Sequence, residues 1–138
     1  LHEPYLRIKH LNLDLQIDEP LICKMDKEKW KQIVGNLLSN SIKFTPEGGT
    51  IKLYVKKLNM ERPMIELTVQ DSGIGIPEDK LKDLFTGKDS IRREGTSGEA
   101  STGLGMFIIK KYLNLLKGMM NVESKPGKGT QFKIKFPV

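Results

Sequence analysis

The spacing between apolar residues changes repeatedly along this chain, and these changes restrict the fold more than any other feature of the sequence. Residues 11–17 alternate apolar and polar side chains, which predicts a strand with one buried face. Apolar residues then recur at three- and four-residue spacing from Trp30 to Ile42, behind a potential N-cap at Asp26. This second pattern predicts an amphipathic helix that ends near Pro46.

The remaining patterns predict a sheet with helices packed against it. The further expected elements are strands at 50–58, 64–70, 119–124 and 130–136, a short helix from about Glu78 to Phe85, and a helix from Leu104 to Leu115. Gly118 is the expected C-cap of the last helix. The strands at 50–58 and 64–70 are expected to pair antiparallel and to be half buried. We therefore expect an α+β two-layer sandwich, in which a mixed, mostly antiparallel sheet packs against about three helices.

The size and composition fit one soluble domain. The chain has 138 residues, 38% of them hydrophobic, which is enough for a core without disulfides. We expect neither a secretory leader nor a membrane span, because no basic-then-apolar pattern opens the sequence and no apolar run reaches the ~18 residues that span a bilayer. We expect a single cytoplasmic domain over residues 1–138, with its motifs between residues 26 and 136.

The chain is basic, with 23 Lys and Arg against 17 Asp and Glu and a formal net charge of +6. Such an excess is compatible with nucleic acid, an acidic protein partner or a polyphosphate ligand. The basic residues are scattered, as at Lys56-Lys57 and Lys110-Lys111, without the interleaved aromatic residues of single-strand binders. We therefore expect a mostly solvated basic surface and no nucleic-acid partner.

One face of the first predicted helix carries polar side chains suited to a metal ion and phosphate. At about 100° per residue, Asn36, Asn40 and Lys43 fall within about 60° of one another. A carboxamide oxygen is a ligand suited to Mg²⁺, and a lysine one turn further on neutralises a phosphate oxygen. Phe44 borders the stripe, where it covers a base or ribose or closes the core. An ordinary solvated helix face explains the same pattern equally well.

A turn after the third predicted strand has the properties of a base pocket. Asp71 precedes Gly73 and Gly75, whose missing side chains let a flat base approach the backbone. A carboxylate there accepts a hydrogen bond from the exocyclic amine of adenine and excludes guanine, which has a carbonyl at that position. A lone Gly-x-Gly is weak evidence, and this one lacks the third glycine of the dinucleotide fingerprint.

Two further glycine motifs and a long loop complete the set. Residues 86–103 are polar and small, a stretch longer than the ~12–15 residues usually left irregular, which is typical of a lid or a disordered segment. Residues 102–106 (Thr-Gly-Leu-Gly-Met) open a helix, so their amides suit a phosphate; a flexible helix start is the alternative. Residues 127–130 (Gly-Lys-Gly-Thr) lack P-loop spacing and predict a hairpin turn, with Thr130 facing the pocket or the core.

The order of these motifs is more specific than any one of them. An Asn-x₃-Asn-x₂-Lys-Phe helix, Asp-x-Gly-x-Gly after a strand, a lid, Thr-Gly-Leu-Gly opening a helix and Gly-x-Gly-Thr before the last strand follow one another. This arrangement resembles the catalytic ATP-binding domain of sensor histidine kinases, within the wider family of type II topoisomerases, mismatch-repair clamps and ninety-kilodalton heat-shock chaperones. The resemblance runs from about Asp26 to Pro137.

The resemblance implies a role for each matching residue. On the phosphate side, Asn40 would bind Mg²⁺, Asn36 would support the metal and phosphates, Lys43 would contact a phosphate, and Phe44 would lie against the nucleotide. On the base side, the matching residues are Asp71 as adenine acceptor, Thr130 assisting through water, and Gly73, Gly75 and Ile76 shaping the pocket. At the lid, Thr102, Gly103, Leu104 and Gly105 would form its hinge, and Phe85 matches the first aromatic of the family's phenylalanine box.

Two departures from the family pattern keep an alternative open. Lys88 occupies the position where the family often repeats a phenylalanine, and residues 99–103 read Glu-Ala-Ser-Thr-Gly where Gly-x-Gly-Thr-Gly is commoner. Lys88, Arg92 and Arg93 are either γ-phosphate contacts or solvated loop charges. A non-catalytic nucleotide sensor or a decayed pseudokinase of the same fold is therefore the second interpretation.

The resemblance also separates phosphoryl transfer from hydrolysis. Relatives that hydrolyse ATP carry a glutamate as general base four residues before the metal-binding asparagine; here that position is Asn36, which cannot take up a proton at neutral pH. The expected reaction is γ-phosphoryl transfer to a histidine of a separate dimerisation domain, and later to a response-regulator aspartate. Neither His2 nor His10 is expected to be the acceptor, so the domain alone should not autophosphorylate. A cytoplasmic domain of a membrane-bound sensor, without direct membrane contact, is implied.

Overall fold

A five-stranded sheet forms one layer of the protein and helices form the other. The computed structural model describes Arg7 and residues 9–17, 26–79 and 104–137. Within them, the elements in chain order are β1 (Asn12–Ile17), α1 (Lys27–Phe44), β2 (Thr50–Leu58), β3 (Met64–Asp71), α2 (Leu104–Leu116), β4 (Met119–Lys125) and β5 (Gly129–Pro137). The strand order is β1-β2-β3-β5-β4; β1 runs parallel to β2 and every other pair is antiparallel. The predicted fold class is confirmed.

The third expected helix falls largely outside the described residues. Glu78 and Asp79 are helical, and the remainder, including Phe85, is not described.

The first three elements form a parallel βαβ unit, in which α1 connects β1 to β2. The start of α1 and the start of β2 therefore lie at opposite ends of the domain.

Helix α1 begins where its sequence predicts. The Asp26 carboxylate accepts hydrogen bonds from the amides of Glu28 (3.0 Å) and Lys29 (3.2 Å), and its second oxygen accepts one from Lys29 Nζ (2.6 Å). Amides in the first turn have no partner within the helix, so this side chain supplies one. The apolar face buries Ile33 and Leu37 completely.

The cap of α1 makes stability depend on pH in the acid range. The Lys29 side chain, with the Lys29 amide, lowers the pKa of Asp26 below its usual 3.8. A lowered folded-state pKa stabilises the protein above the unfolded value, and this contribution disappears as pH falls through the folded value. Asp26→Asn keeps a capping oxygen but loses the charge. The melting temperature of wild type should exceed that of the variant at neutral pH, and thermal unfolding should show this gap narrowing as the pH is lowered below 3.8. A gap that persists in acid would contradict the assignment.

The core lies between the helices and the middle of the sheet. Helix α1 packs over β3, and α2 packs over β4 and β5. The most buried side chains include Ile65 and Leu67 of β3, Ile109 of α2 and Phe136 of β5. Trp30 meets Phe136 edge to face, with 5.7 Å between ring centroids.

Burial of two strands differs from expectation. Strand β1 was expected to have one buried face, yet Leu13, Leu15 and Ile17 are 42%, 53% and 46% exposed. They share a side with the core residues of β2, but β1 is an edge strand and the helices pack mainly over β3, β4 and β5. Strand β3 was expected to be half buried, yet it is buried on both sides because it is central. Glu66, on its outer side, is 6% exposed, with Lys56 Nζ at 3.5 Å and Lys135 Nζ at 3.6 Å.

The end of α2 also corrects an expectation. Gly118 was the expected C-cap, but the residue with left-handed backbone is Lys117, at φ 58°. The Lys117 amide bonds Asn114 O (3.2 Å) and the Gly118 amide bonds Leu113 O (2.8 Å), which is the Schellman pattern. Gly118 is needed for a different reason: a Cβ there would lie 2.8 Å from Lys135 O on β5.

Replacing Lys117 by glycine should therefore stabilise the protein. A left-handed L-residue is strained, and glycine removes this strain while losing more backbone entropy, so the net gain should be about 0.5–1 kcal/mol. Urea unfolding would measure it. Lys111→Gly, at an exposed position inside the same helix, should destabilise by about 0.7 kcal/mol. Equal effects of the two substitutions would refute the cap assignment.

Candidate functional site

The polar helix stripe and the glycine turn meet at the C-terminal end of α1. The turn that follows β3, residues 73–75, is called here the glycine turn. The Ile74 amide in its middle donates to Phe44 O, the last carbonyl of α1, at 3.0 Å. An added Cβ at Gly73 would overlap the same carbonyl, so the absence of a side chain permits this approach. The helix and the turn are thus joined through the main chain.

Asp71 is held in place by main-chain amides. It is 6% exposed, and its Oδ1 accepts from the Gly73 amide (2.9 Å) and from the Thr130 amide on β5 (3.3 Å). Asp71 and Thr130 are partners in the register of β3 and β5. Two amides at Oδ1 fix the orientation of this carboxylate, and a fixed carboxylate suits recognition of a ligand amine.

Ser124 connects the glycine turn to Thr130, and sequence reasoning missed it. Its Oγ accepts from the Ile76 amide (2.7 Å), donates to Gly129 O (3.1 Å) and lies 2.8 Å from Thr130 Oγ1. A signal was present: Met120 and Val122 form the apolar row of β4 that faces the helices, and Ser124 continues this row with a polar side chain. Ile76 itself is half-buried beside it.

The β4–β5 hairpin packs against the glycine turn. The hairpin itself was predicted from residues 127–130 and is confirmed, because β4 ends at Lys125 and β5 begins at Gly129. Gly127 donates its amide to Ile74 O (2.8 Å), and a Cβ on Gly75 would overlap the carbonyl of Lys125. Gly75 and Gly129 have φ of 74° and 93°, a region that L side chains rarely adopt. Glycine at both positions therefore follows from backbone conformation and space together.

The polar stripe of α1 is enclosed. Asn36, Asn40 and Lys43 are all half-buried, whereas the exposed residues of α1 lie in its first half. The Asn36 Nδ2 atom is buried and has no hydrogen-bond partner among the described residues. Gly105 at the start of α2 stands opposite it: a Cβ there would lie 3.4 Å from Asn36 Oδ1. This enclosure argues against an ordinary solvated helix face.

The chemistry of these groups fits a nucleotide. The Asn36 amide offers a donor that a phosphate oxygen satisfies, and Asn40 adds a carboxamide oxygen suited to Mg²⁺ one turn along. Lys43 adds a positive charge on the same side of α1. Asp71 and the glycine turn offer a hydrogen-bond acceptor beside bare backbone, which suits a flat base carrying an amine.

An open cavity of about 460 Å³ lies at this end of the sheet. Asp71, Ser124 and Thr130 line it from the helix side, while Gln70, Glu123 and Gln131 line it from the other side. The α1 stripe is not part of its lining. The cavity therefore lies at the end of the candidate site where a base is expected (the base end), and not at the end where phosphates are expected (the phosphate end).

The remaining expected site residues belong to the lid or border it. Phe85, Thr102 and Gly103, together with the lid at 86–103 and its charges Lys88, Arg92 and Arg93, lie outside the described residues. Leu104 begins α2. The lid's role accordingly stays a prediction.

No helix within the described residues is long and apolar enough to cross a membrane.

Comparison with known proteins places this architecture in a family. The model of the histidine kinase-, DNA gyrase B- and HSP90-like ATPase family matches residues 25–138. Sensor histidine kinase TmoS of Ectopseudomonas mendocina is 39% identical over 94% of the chain and 13% of its own length. Adaptive-response sensory kinase SasA of Synechococcus sp. (strain JA-2-3B'a(2-13)) is 34% identical over 100% of the chain and 36% of its own length.

Solved structures agree with the sequence comparisons. The catalytic domain of histidine kinase ThkA superimposes with a TM-score of 0.79 at 25% identity, covering 99% of this chain and 86% of that one. The chain thus spans about an eighth to a third of the length of the curated relatives named above, but most of the solved ThkA domain. The family match and the shared fold lead to one conclusion: this chain belongs to the histidine kinase-, DNA gyrase B- and HSP90-like ATPase family.

Proposed function

We propose that the chain is the ATP-binding catalytic domain of a sensor histidine kinase. It binds ATP with Mg²⁺ and supplies the γ-phosphoryl group to a histidine on a separate dimerisation domain. The observation that carries the proposal is Asp71, buried at the end of β3 and oriented by the amides of Gly73 and Thr130, beside a turn whose glycines expose the backbone. This arrangement suits the amine edge of adenine.

The phosphate end supports transfer rather than hydrolysis. A bound Mg²⁺ would neutralise charge on the phosphates, with Asn40 as its protein ligand and Asn36 and Lys43 on the phosphate oxygens. The acceptor imidazole nitrogen forms the new bond to the γ-phosphorus while the bond to the bridging oxygen breaks and ADP departs. Asn36 takes up no proton at neutral pH, so the chain offers no general base for water at this position.

The lengths of the relatives are compatible with the proposed partners. TmoS and SasA are far longer than this chain, which leaves room for an acceptor domain and other modules in a parent protein. We propose the dimerisation domain and a response-regulator receiver domain as its partners. We also propose a cytoplasmic location, because ATP is available there. Phe85, Thr102, Gly103 and Leu104 remain assigned to the lid and pocket by resemblance.

Calorimetric titration with ATP, ADP and GTP, with and without Mg²⁺, tests the pocket. We expect adenine nucleotides to bind in preference to GTP, with Mg²⁺ strengthening the binding of ATP. Incubation with radiolabelled ATP then tests transfer: the 138-residue chain alone should form no acid-labile phosphohistidine, and adding the parent's dimerisation domain should produce it. Tight ATP binding without transfer to that domain would favour the non-catalytic sensor, and no nucleotide binding would refute both.

A further inference from the structure

The C-terminal end of α1 is held by more than its own helix. Carbonyls in the last turn of a helix lack partners within it. Here the carbonyls of four successive residues accept from outside the backbone ladder of α1: Ser41 O from Thr45 Oγ1, Ile42 O from Lys9 Nζ (2.8 Å), Lys43 O from Lys9 Nζ (3.3 Å), and Phe44 O from the Ile74 amide (3.0 Å). Two of these four depend on one side chain.

Lys9 reaches this position from the segment that precedes β1. It is only 7% exposed, so the ammonium group is largely removed from water. Its own carbonyl accepts from the Gly48 amide (3.1 Å), in the turn after α1. Burying a charge is costly unless hydrogen bonds compensate, and here the negative end of the α1 dipole and two carbonyls do so. The residue is thus fixed by both its backbone and its side chain.

The last turn of α1 carries the groups that the proposed function assigns to the nucleotide. Lys43 and Phe44 belong to it, and Phe44 O is bonded to the glycine turn through Ile74. A change in this turn would therefore reach the phosphate end and the base end together.

Resting on the proposed function, we infer that Lys9 is a positioning residue for the nucleotide site. By bonding the carbonyls of Ile42 and Lys43 it fixes the last turn of α1, and through Phe44 O it fixes the glycine turn. It touches no nucleotide itself. Nothing in the local sequence marks it, because its role depends on a contact 33 residues away along the chain.

The test compares three variants of the 138-residue chain. Lys9→Met keeps the length and the apolar stem of the side chain but removes its hydrogen-bond donor. It should weaken ATP binding about tenfold, which is less than the loss of charge-assisted hydrogen bonds to the ligand itself would cause. Lys9→Arg restores donors in a fork that suits two carbonyls, and affinity should return to within about threefold of wild type. Ile134→Val, in the core of β5, is the stability control and should leave affinity unchanged.

Amide hydrogen exchange supplies a readout that a general loss of stability does not mimic. In Lys9→Met the Ile74 amide should exchange faster relative to amides of β2, and in Ile134→Val this ratio should not exceed the wild-type value. If Lys9→Met binds ATP as tightly as the wild type does, or if Ile134→Val loses the same affinity for ATP, the positioning role alone is overturned. Wild-type protein that binds no ATP would instead refute the proposed function and, with it, positioning toward a nucleotide.

Discussion

Replacing Asp71 by asparagine should weaken binding of adenine nucleotides about 10- to 150-fold, the equivalent of a charge-assisted hydrogen bond worth about 1.5–3 kcal/mol. The structure explains why the substitution should act on the ligand and not on the fold. The asparagine side chain would keep one oxygen for the amides of Gly73 and Thr130, which Asp71 Oδ1 now serves. Its amide nitrogen must then take the place of the second carboxylate oxygen and present N–H groups to the adenine amine.

The same substitution should change base preference. Guanine carries a carbonyl where adenine carries its amine, so an amide nitrogen at this place suits GTP better than a carboxylate does. The ratio of ATP to GTP affinity, measured by calorimetry, should therefore fall in Asp71→Asn.

Glu123→Gln is the matched control for Asp71→Asn. Glu123 lines the same cavity and loses the same charge, but it is exposed and lies on the opposite side of the sheet. Its affinity for ATP should stay within about twofold of wild type, because an exposed charge contributes little. An Asp71→Asn protein that binds ATP like wild type would refute the adenine assignment. An equal loss in both variants would point to net charge as the cause.

Local signals were sufficient for most elements. Asp26 predicted the start of α1, and the alternation in residues 64–70 predicted a strand, because caps and periodicities act over a few residues. Burial was less predictable. Leu13 alternates like a core residue but lies on an edge strand that the helices leave largely uncovered, while Glu66 looks like a solvent-facing residue but lies on the central strand.

The candidate site shows a similar division. The sequence motifs identified Asp71, Gly75 and the α1 stripe, but not the contacts that hold these residues in position. Lys9 and Ser124 make the supporting contacts, and both bond groups on elements distant in the chain. Sheet register and crossover geometry create such contacts. The polar break in the apolar row of β4 marks Ser124, but no local pattern identifies its bonding partners or those of Lys9. The ligand roles of the motif residues stay predictions until nucleotide binding is measured.

Gly75→Ala should destabilise the protein by about 2–5 kcal/mol, because two separate costs add. The residue has φ 74°, where an L-residue is strained by about 1–2 kcal/mol. Its Cβ would also overlap the carbonyl of Lys125, a main-chain group of the β4–β5 hairpin that cannot rotate away, and overpacking costs about 1–3 kcal/mol more. A loss of this size is a large part of the stability of an ordinary domain.

The hairpin that meets Gly75 contains the matched control for this prediction. Gly127 has almost the same backbone conformation, with φ 78°, but no atom lies within 4 Å of where its Cβ would be. Gly127→Ala therefore carries the conformational cost of about 1–2 kcal/mol without the overlap. Urea unfolding should place Gly75→Ala about 1–3 kcal/mol below Gly127→Ala, and this difference isolates the contact between the glycine turn and the hairpin. Equal losses would mean that the hairpin yields to the new methyl group, and that the base end of the site is less firmly held than Asp71 and Ser124 require.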